Sequence, residues 1–275
     1  NKKLFFDKRC SKSSKKYSVD NIDEIMNLFK MEGGTVPAEI NSDYVNLYRN
    51  NEFAAAMFYV RMLFSALVDA DFLSTEAHFG RTGDEYLYRR IGETLNGEIV
   101  INRLLRYVEK IRVESRADYR VKKMRDDLFS CCLNAGERER GIYTLTAPTG
   151  AGKTLAMLAF AARHVKKHKL DRIIFILPYL NIIEQTAKEY ETILSGITDM
   201  PYVLQDHSLT ESPEGDFSRL LAENWDAPVI VTTTVRFFEG LFSNRSTACR
   251  RLHNLANSVI LFDEAQTMPR NLVLP

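Results

Sequence analysis

Ile142-Tyr143-Thr144-Leu145-Thr146-Ala147-Pro148-Thr149-Gly150-Ala151-Gly152-Lys153-Thr154 is the stretch around which this chain is organised. Residues 142–146 alternate apolar and β-branched side chains, as a strand does. Residues 155–168 carry the spacing of a buried helix and turn basic at their end, with Lys166, Lys167 and His168. Strand, glycine-rich loop and a helix opening on Lys-Thr form the context that a phosphate-binding loop requires. The glycines let backbone N–H groups close around phosphate oxygens at a helix N-terminus, where the helix dipole favours negative charge. Lys153 is expected to reach the β- and γ-phosphates, and the Thr154 hydroxyl to take a place on magnesium.

A chain of 275 residues has room for two modest domains or one large one. A formal net charge of +1 excludes a uniformly basic nucleic-acid binder, although local patches can still act. The four cysteines, Cys10, Cys131, Cys132 and Cys249, include no C-x-x-C pair, which suits reduced thiols. The longest apolar run, 155–162, is too short to cross a bilayer, and no signal-peptide pattern opens the chain. A cytoplasmic protein without membrane contact is the expectation. There is no initiating Met, and the chain stops at Leu274-Pro275 just after a motif, so we expect a piece of a longer protein.

The first half reads as helical. Residues 1–20 are rich in Lys, Arg and Ser and fit either a solvated or a nucleic-acid-facing loop. Ile22, Ile25, Met26 and Phe29 share a helical face that Gly33-Gly34 ends. Residues 51–73 are apolar all round, which predicts a helix buried in an all-helical domain. Its last turn carries Asp69 and Asp71. Such carboxylates either reach solvent or an Arg, or else bind a hard divalent cation. Two further helical stripes follow, Leu104, Leu105, Val108 and Ile111, then Val121, Met124, Leu128 and Cys131, with breaks near 92–97 and 134–140.

The second half alternates strands and helices. Arg172 to Leu177, Tyr202 to Leu204, Pro228 to Thr232 and Ser258 to Phe262 read as buried strands. The last delivers Asp263-Glu264-Ala265-Gln266 at its carboxyl end. In an open α/β sheet, ligands bind outside the carboxyl ends of the strands, so the loop at Gly150 and Asp263 should share one edge. Asp263 can hold magnesium and Glu264 can orient and deprotonate the attacking water. The fold class is therefore α followed by α/β, with a doubly wound parallel sheet. His207, in a loop, decides nothing alone.

A-P-T-G-A-G-K-T-L, L-P-Y-L-N-I-I-E-Q-T-A, N-W-D-A-P-V-I-V-T-T and R-L-H-N-L-A-N-S-V-I-L-F-D-E-A-Q-T-M-P together resemble the CRISPR-associated helicase–nuclease of type I systems, a superfamily-two helicase. S-A-L-V-D-A-D-F-L-S-T-E, residues 65–76, is similar to the end of that family's HD nuclease domain. The resemblance implies an all-helical HD-like remnant over residues 1–115, a connecting helix over 116–140 and a first, RecA-like helicase domain over 141–275. It implies that Ala147, Pro148, Thr149, Gly150, Ala151, Gly152, Lys153, Thr154 and Gln266 bind ATP. Lys153, Asp263 and Glu264 would be catalytic, with Thr154 and Asp263 on Mg2+. Pro178, Tyr179, Gln185, Thr232, Thr233, Thr234 and Arg236 would touch DNA. Asp71, with Asp69 as second candidate, would belong to a nuclease site for a transition divalent metal. The family translocates on single-stranded DNA by ATP hydrolysis and degrades it after recruitment by the Cascade surveillance complex.

This chain departs from the family pattern. No His-Asp dipeptide occurs, and of its five histidines, His78, His164, His168, His207 and His253, four lie outside the first half. A metal site on Asp71 alone cannot close. No Gln precedes the Gly150 loop, so the usual adenine-reading motif is missing. Other readings of the same motifs are an RNA helicase or another P-loop ATPase, and a non-catalytic adaptor.

Overall fold

A computed structural model describes residues 27, 30, 31, 53–80, 87–207 and 216–268. The basic segment 1–20 and most of the helix expected near 22–32 lie outside the described residues. Residues 57–275 form one compact unit and residues 1–56 another. In chain order the elements are α1 (Phe53–Phe79), α2 (Gly97–Glu114), α3 (Tyr119–Ala135), α4 (Lys153–His168), β1 (Arg172–Leu177), α5 (Leu180–Leu194) and β2 (Val203–Asp206). Then come α6 (Asp216–Asn224), β3 (Val229–Thr233), α7 (Thr234–Phe242), α8 (Ser246–Cys249), a 3-10 turn (Leu252–Leu255), β4 (Ser258–Phe262) and a second 3-10 turn (Ala265–Thr267).

The four strands make one parallel sheet in the order β2-β3-β1-β4. β1 is central and its apolar run serves both faces, as a doubly wound sheet demands. Ile173, Phe175 and Leu177 enter a core with α2, α4 and α5, whereas Ile174 and Ile176 enter a second core with Leu221, Trp225, Phe237 and Leu252. The helical and sheet halves therefore make the α plus α/β arrangement expected of a RecA-like fold. Gly97 shows how closely α2 lies on α4. A Cβ there would stand 2.7 Å from the Ala162 carbonyl oxygen and 2.8 Å from the Lys166 nitrogen.

Two expectations change. Residues 142–146 do not join the sheet, and Ile142 is 99% exposed. Alternation reports a backbone suited to a sheet, but a strand also needs a partner edge. Arg140 reaches Asn257 Oδ1 at 3.4 Å just before β4, and Lys153 reaches Glu264 at 3.5 Å just after it. The segment thus spans the length of β4 unpaired, its Tyr143 ring packed 5.2 Å from that of Phe160.

The second change is α1. Its all-round apolar sequence predicts burial, yet Val60, Leu63, Phe64 and Leu67 are exposed. Besides Ala56 and Ala77, α1 buries Ser65 and Asp69, which with half-buried Arg61 form a polar stripe at four-residue spacing on one helix face. Arg61 donates to the carbonyls of Leu241 (2.7 Å) and Ser243 (2.9 Å), and Ser65 donates to that of Cys249 (2.6 Å). Carbonyls at the end of α7 and around α8 need donors, and α1 supplies them.

Candidate nucleotide site and nucleic-acid interface

The phosphate-binding loop is built from backbone. Gly150 and Gly152 have φ of 78° and 83°, in the left-handed region that a side chain resists. Gly152 is the N-cap of α4 and offers no side-chain acceptor, so the first-turn N–H groups of α4 are left for a ligand. Ala151 behind them is 1% exposed, which fixes the loop against the core. Tyr190, fully buried, donates its hydroxyl to the Thr154 carbonyl at 3.1 Å and anchors the start of α4 to α5. Burial holds its hydroxyl well above the ordinary tyrosine range, helped by the charges of Glu189 and Asp263. That phenol stays protonated and keeps donating.

β4 brings the carboxylates to the same edge. The Asp263 N–H donates to the Ile176 carbonyl at 3.0 Å, continuing the ladder past the end of β4. The Glu264 N–H donates to Asp263 Oδ1 at 2.9 Å, and Glu264 itself has φ 50°. This turn projects two successive carboxylates toward the loop. Lys153 Nζ lies 3.5 Å from Glu264 Oε1 across 111 residues of sequence, with both side chains partly exposed. Gln266 donates to the other Glu264 oxygen. Lys153, Glu264 and Gln266 thus meet at one edge of the sheet.

The donor set fits magnesium. An uncapped helix N-terminus beside one hydroxyl and one carboxylate suits an ion that keeps several waters and binds through few protein oxygens plus phosphates. Thr154 and Asp263 would hold it. Among the described residues no group of three or more His, Cys, Asp or Glu is placed to hold a metal, so no all-protein cage is present there. Beside the loop a cavity of about 260 Å3 is lined by Val108, Ile111, Arg125, Asp126, Phe129 and Leu155, with Ala151 and Gly152. Sequence reading missed Arg125, whose Nε donates to the Gly150 carbonyl at 3.1 Å and ties α3 to the loop. Its only signal is a cation at helical spacing on a polar face.

The nucleic-acid candidates divide by access. Tyr179 is exposed at the N-cap of α5, and Gln185 is exposed on that helix. Thr232 is completely buried and donates its hydroxyl to the Asp206 carbonyl at 2.7 Å. Thr233 is 8% exposed and its oxygen caps α7 by accepting from the Arg236 N–H at 3.0 Å. Thr234 and Arg236 are half-buried and accessible. Two of the three threonines therefore shape the turn from beneath, which strand periodicity could not distinguish from contact.

The expected nuclease carboxylates are not brought together as a metal site. Asp69 is 3% exposed, and its oxygens accept from Arg250 Nε at 2.7 Å and Asn224 Nδ2 at 2.9 Å. His253 Nε2 lies 3.5 Å from it. Burial lowers the His253 pKa, against the opposing pull of Asp69. Ser65, His253 and Asp69 have the composition of an acyl-transfer triad, but Ser65 is completely buried and its proton goes to the Cys249 carbonyl. Asp71 is exposed beside a cavity of about 370 Å3 that it shares with Thr75, Glu76, Glu223 and Arg250. The described residues do not fit a transition-metal nuclease site.

Comparison with known proteins agrees with the geometry. A stretch of this chain is 28% identical over 151 residues to the "CRISPR-associated nuclease/helicase Cas3" of Haloferax volcanii, covering 47% of this chain. The chain spans only 16% of that relative's length. Residues 99–270 match the family model described as "Type III restriction enzyme, res subunit", and they include the loop at Gly150, the four strands and Asp263-Glu264. With the phosphate loop, the parallel sheet and the paired carboxylates all inside that match, the chain belongs to the type III restriction enzyme res-subunit family.

Proposed function

We propose that residues 141–275 form the first RecA-like domain of an ATP-driven nucleic-acid translocase of the superfamily-two helicase class. The observation that carries this reading is the approach of Lys153 to Glu264, which joins a phosphate-binding loop to a carboxylate pair at one sheet edge. Backbone N–H groups at the start of α4 bind the phosphates and Lys153 neutralises their charge. Thr154 and Asp263 would hold a magnesium ion, which would supply positive charge against that developing on the phosphates. Glu264 is paired with Lys153 before nucleotide binds. Once Lys153 turns to the phosphates, Glu264 is released to orient the attacking water and take its proton. Arg125 positions the loop, and the cavity beside it, lined by Val108, Ile111 and Phe129 together with charged groups, is the place offered for the base.

The turn from Thr233 to Arg236, with Tyr179 and Gln185, would face a single nucleic-acid strand along the carboxyl ends of the strands. The resemblance in four motifs supports DNA as substrate and, for the whole protein, an HD nuclease and Cascade as partner in CRISPR defence. The Haloferax relative, by its name a CRISPR-associated nuclease/helicase, supports the helicase class and the CRISPR association. Nuclease activity, its metal and its partner belong to that proposal, and Asp71 is the residue offered for it.

The reading is tested by ATP hydrolysis of the full chain with and without single-stranded oligodeoxynucleotide and oligoribonucleotide. Stimulation by DNA above RNA, lost in Lys153→Ala together with binding of a fluorescent ATP analogue, is the expected result. An unchanged analogue affinity in Lys153→Ala would overturn the nucleotide site. Equal stimulation by RNA would move the substrate to the RNA helicase class.

A further inference from the structure

The carboxyl end of β2 holds a charge arrangement that no motif announces. Asp206 is 5% exposed and stands in register with Thr232 on β3. Its Oδ2 accepts from the indole Nε1 of Trp225 at 2.7 Å and faces Arg251 Nη1 at 3.3 Å. Its Oδ1 faces Arg236 Nε at 3.8 Å. Two guanidinium groups therefore share one buried carboxylate.

The two arginines are not equivalent. Arg251 is 8% exposed, donates from Nε to the Glu223 carbonyl at 3.3 Å and lies 5.4 Å from the Trp225 ring. It is held on three sides. Arg236 sits in the first turn of α7 with its side chain 31% exposed. Its Nε, like Arg251 Nη1, is buried without an aligned acceptor, and its other contact is the partly exposed Glu239 Oε2 at 3.5 Å. Partly exposed ion pairs at such distances contribute little. If Arg236 turns away, Asp206 keeps the indole and Arg251, so no buried carboxylate is orphaned. If Asp206 is neutralised, Arg236 loses a restraining charge and keeps its place on α7.

We propose that Asp206 is a positioning residue that holds Arg236 back until a nucleic-acid phosphate arrives at the Thr233–Thr234 turn and takes the guanidinium over. This rests on the nucleic-acid reading of that turn. A phosphate offers the guanidinium a bidentate, fully charged acceptor in place of a long contact. The N-terminus of α7 adds a favourable field for the incoming anion. Asp206 thus sets a threshold on binding, and the carboxylate opposes affinity although it lies in the basic machinery.

The sign of one substitution separates this role from a structural one. Asp206→Asn keeps an oxygen for Trp225 and removes the charge. In fluorescence anisotropy with a single-stranded oligodeoxynucleotide and the full chain, Asp206→Asn is expected to bind about two- to fivefold more tightly, the range an exposed ion pair contributes. Arg236→Ala is expected to bind more weakly, with a salt slope shallower by about 0.7. The double variant should match Arg236→Ala. If Arg236→Ala changes nothing, the nucleic-acid reading of this turn fails. If it weakens binding while Asp206→Asn does not tighten it, or tightens it equally without Arg236, the role of Asp206 is overturned. Trp225 is the single tryptophan, so its indole N–H resonance reports on Asp206 in the unaltered protein. That resonance should shift as oligonucleotide binds and stay in place in Arg236→Ala. A resonance unmoved during binding to the unaltered protein overturns the proposal even if Asp206→Asn fails to fold.

Discussion

Two pairs of carboxylates, Asp263-Glu264 and Asp69 with Asp71, carry the same chemistry in the sequence and lead opposite lives in the structure. The first pair follows a strand at the sheet edge, partly exposed, with Lys153 beside Glu264. Asp69 ends its life as a strut, its oxygens taken by Arg250 and Asn224 in a site 3% exposed. Asp71, two residues on, faces solvent. A carboxylate serves a ligand when it keeps free lone pairs near other groups left unsatisfied. It serves the fold when donors from its own chain consume them.

Removing charge from each pair should therefore break different properties. The largest effect is expected from Glu264→Gln. Loss of a general base costs about 10²- to 10⁴-fold in turnover. Affinity for the ATP analogue should hold or rise, because Lys153 loses its resting partner, and parallel binding and steady-state assays would show the split. Asp69→Ala should do the reverse. It takes the buried acceptor from Arg250 Nε and leaves Glu223 Oε2, 2.9 Å from Arg250 Nη1, as the remaining carboxylate, so about 1–3 kcal/mol of stability is expected to be lost. Urea unfolding measures it, and a shift no larger than for a surface residue would end the strut interpretation.

A smaller effect concerns His253, next to Asp69. Burial lowers its pKa in the folded chain, so below about pH 6.5 the unfolded chain binds the extra proton. Its contribution to stability is present above the ordinary histidine pKa and is lost as pH falls toward the folded value. The urea midpoint should drop on acidification, and His253→Gln should flatten that slope. His164, also lowered mainly by burial, acts in the same direction, so the double variant should flatten it further. The smallest effect is expected for Asp71→Ala, within about 0.5 kcal/mol as for other surface sites. A large stability loss there would erase the distinction between the two neighbours.

Much of the nucleotide site was legible because its parts are local. Gly150 and Gly152 prescribe backbone angles, Lys153-Thr154 open a helix, and Asp263-Glu264 follow an apolar strand. Three of the four strands lie within one residue of the expected bounds at each end. β2 runs two residues further, to Asp206. The rule that parallel strands present their carboxyl ends together anticipated the approach of Lys153 to Glu264, although residues 142–146 leading to the loop pair with no strand.

What local pattern cannot report is which partner a residue meets. The segment 142–146 has a strand's alternation and no strand's pairing. α1 has apolar residues all round and buries its polar stripe, because the carbonyls it meets belong to residues 241–249, remote in sequence. Thr232 and Thr233 look like contacts and are supports. Arg125, Asp206 and Arg250 carry no motif, since their roles come from neighbours 19 to 181 positions away or from burial around them. By itself the sequence determined the backbone conformations and the chemistry each segment can offer, for those depend on sterics and periodicity within a few residues. Only the tertiary structure decided which carboxylates, hydroxyls and guanidinium groups remain free to act, because freedom from an internal partner depends on how distant segments pack.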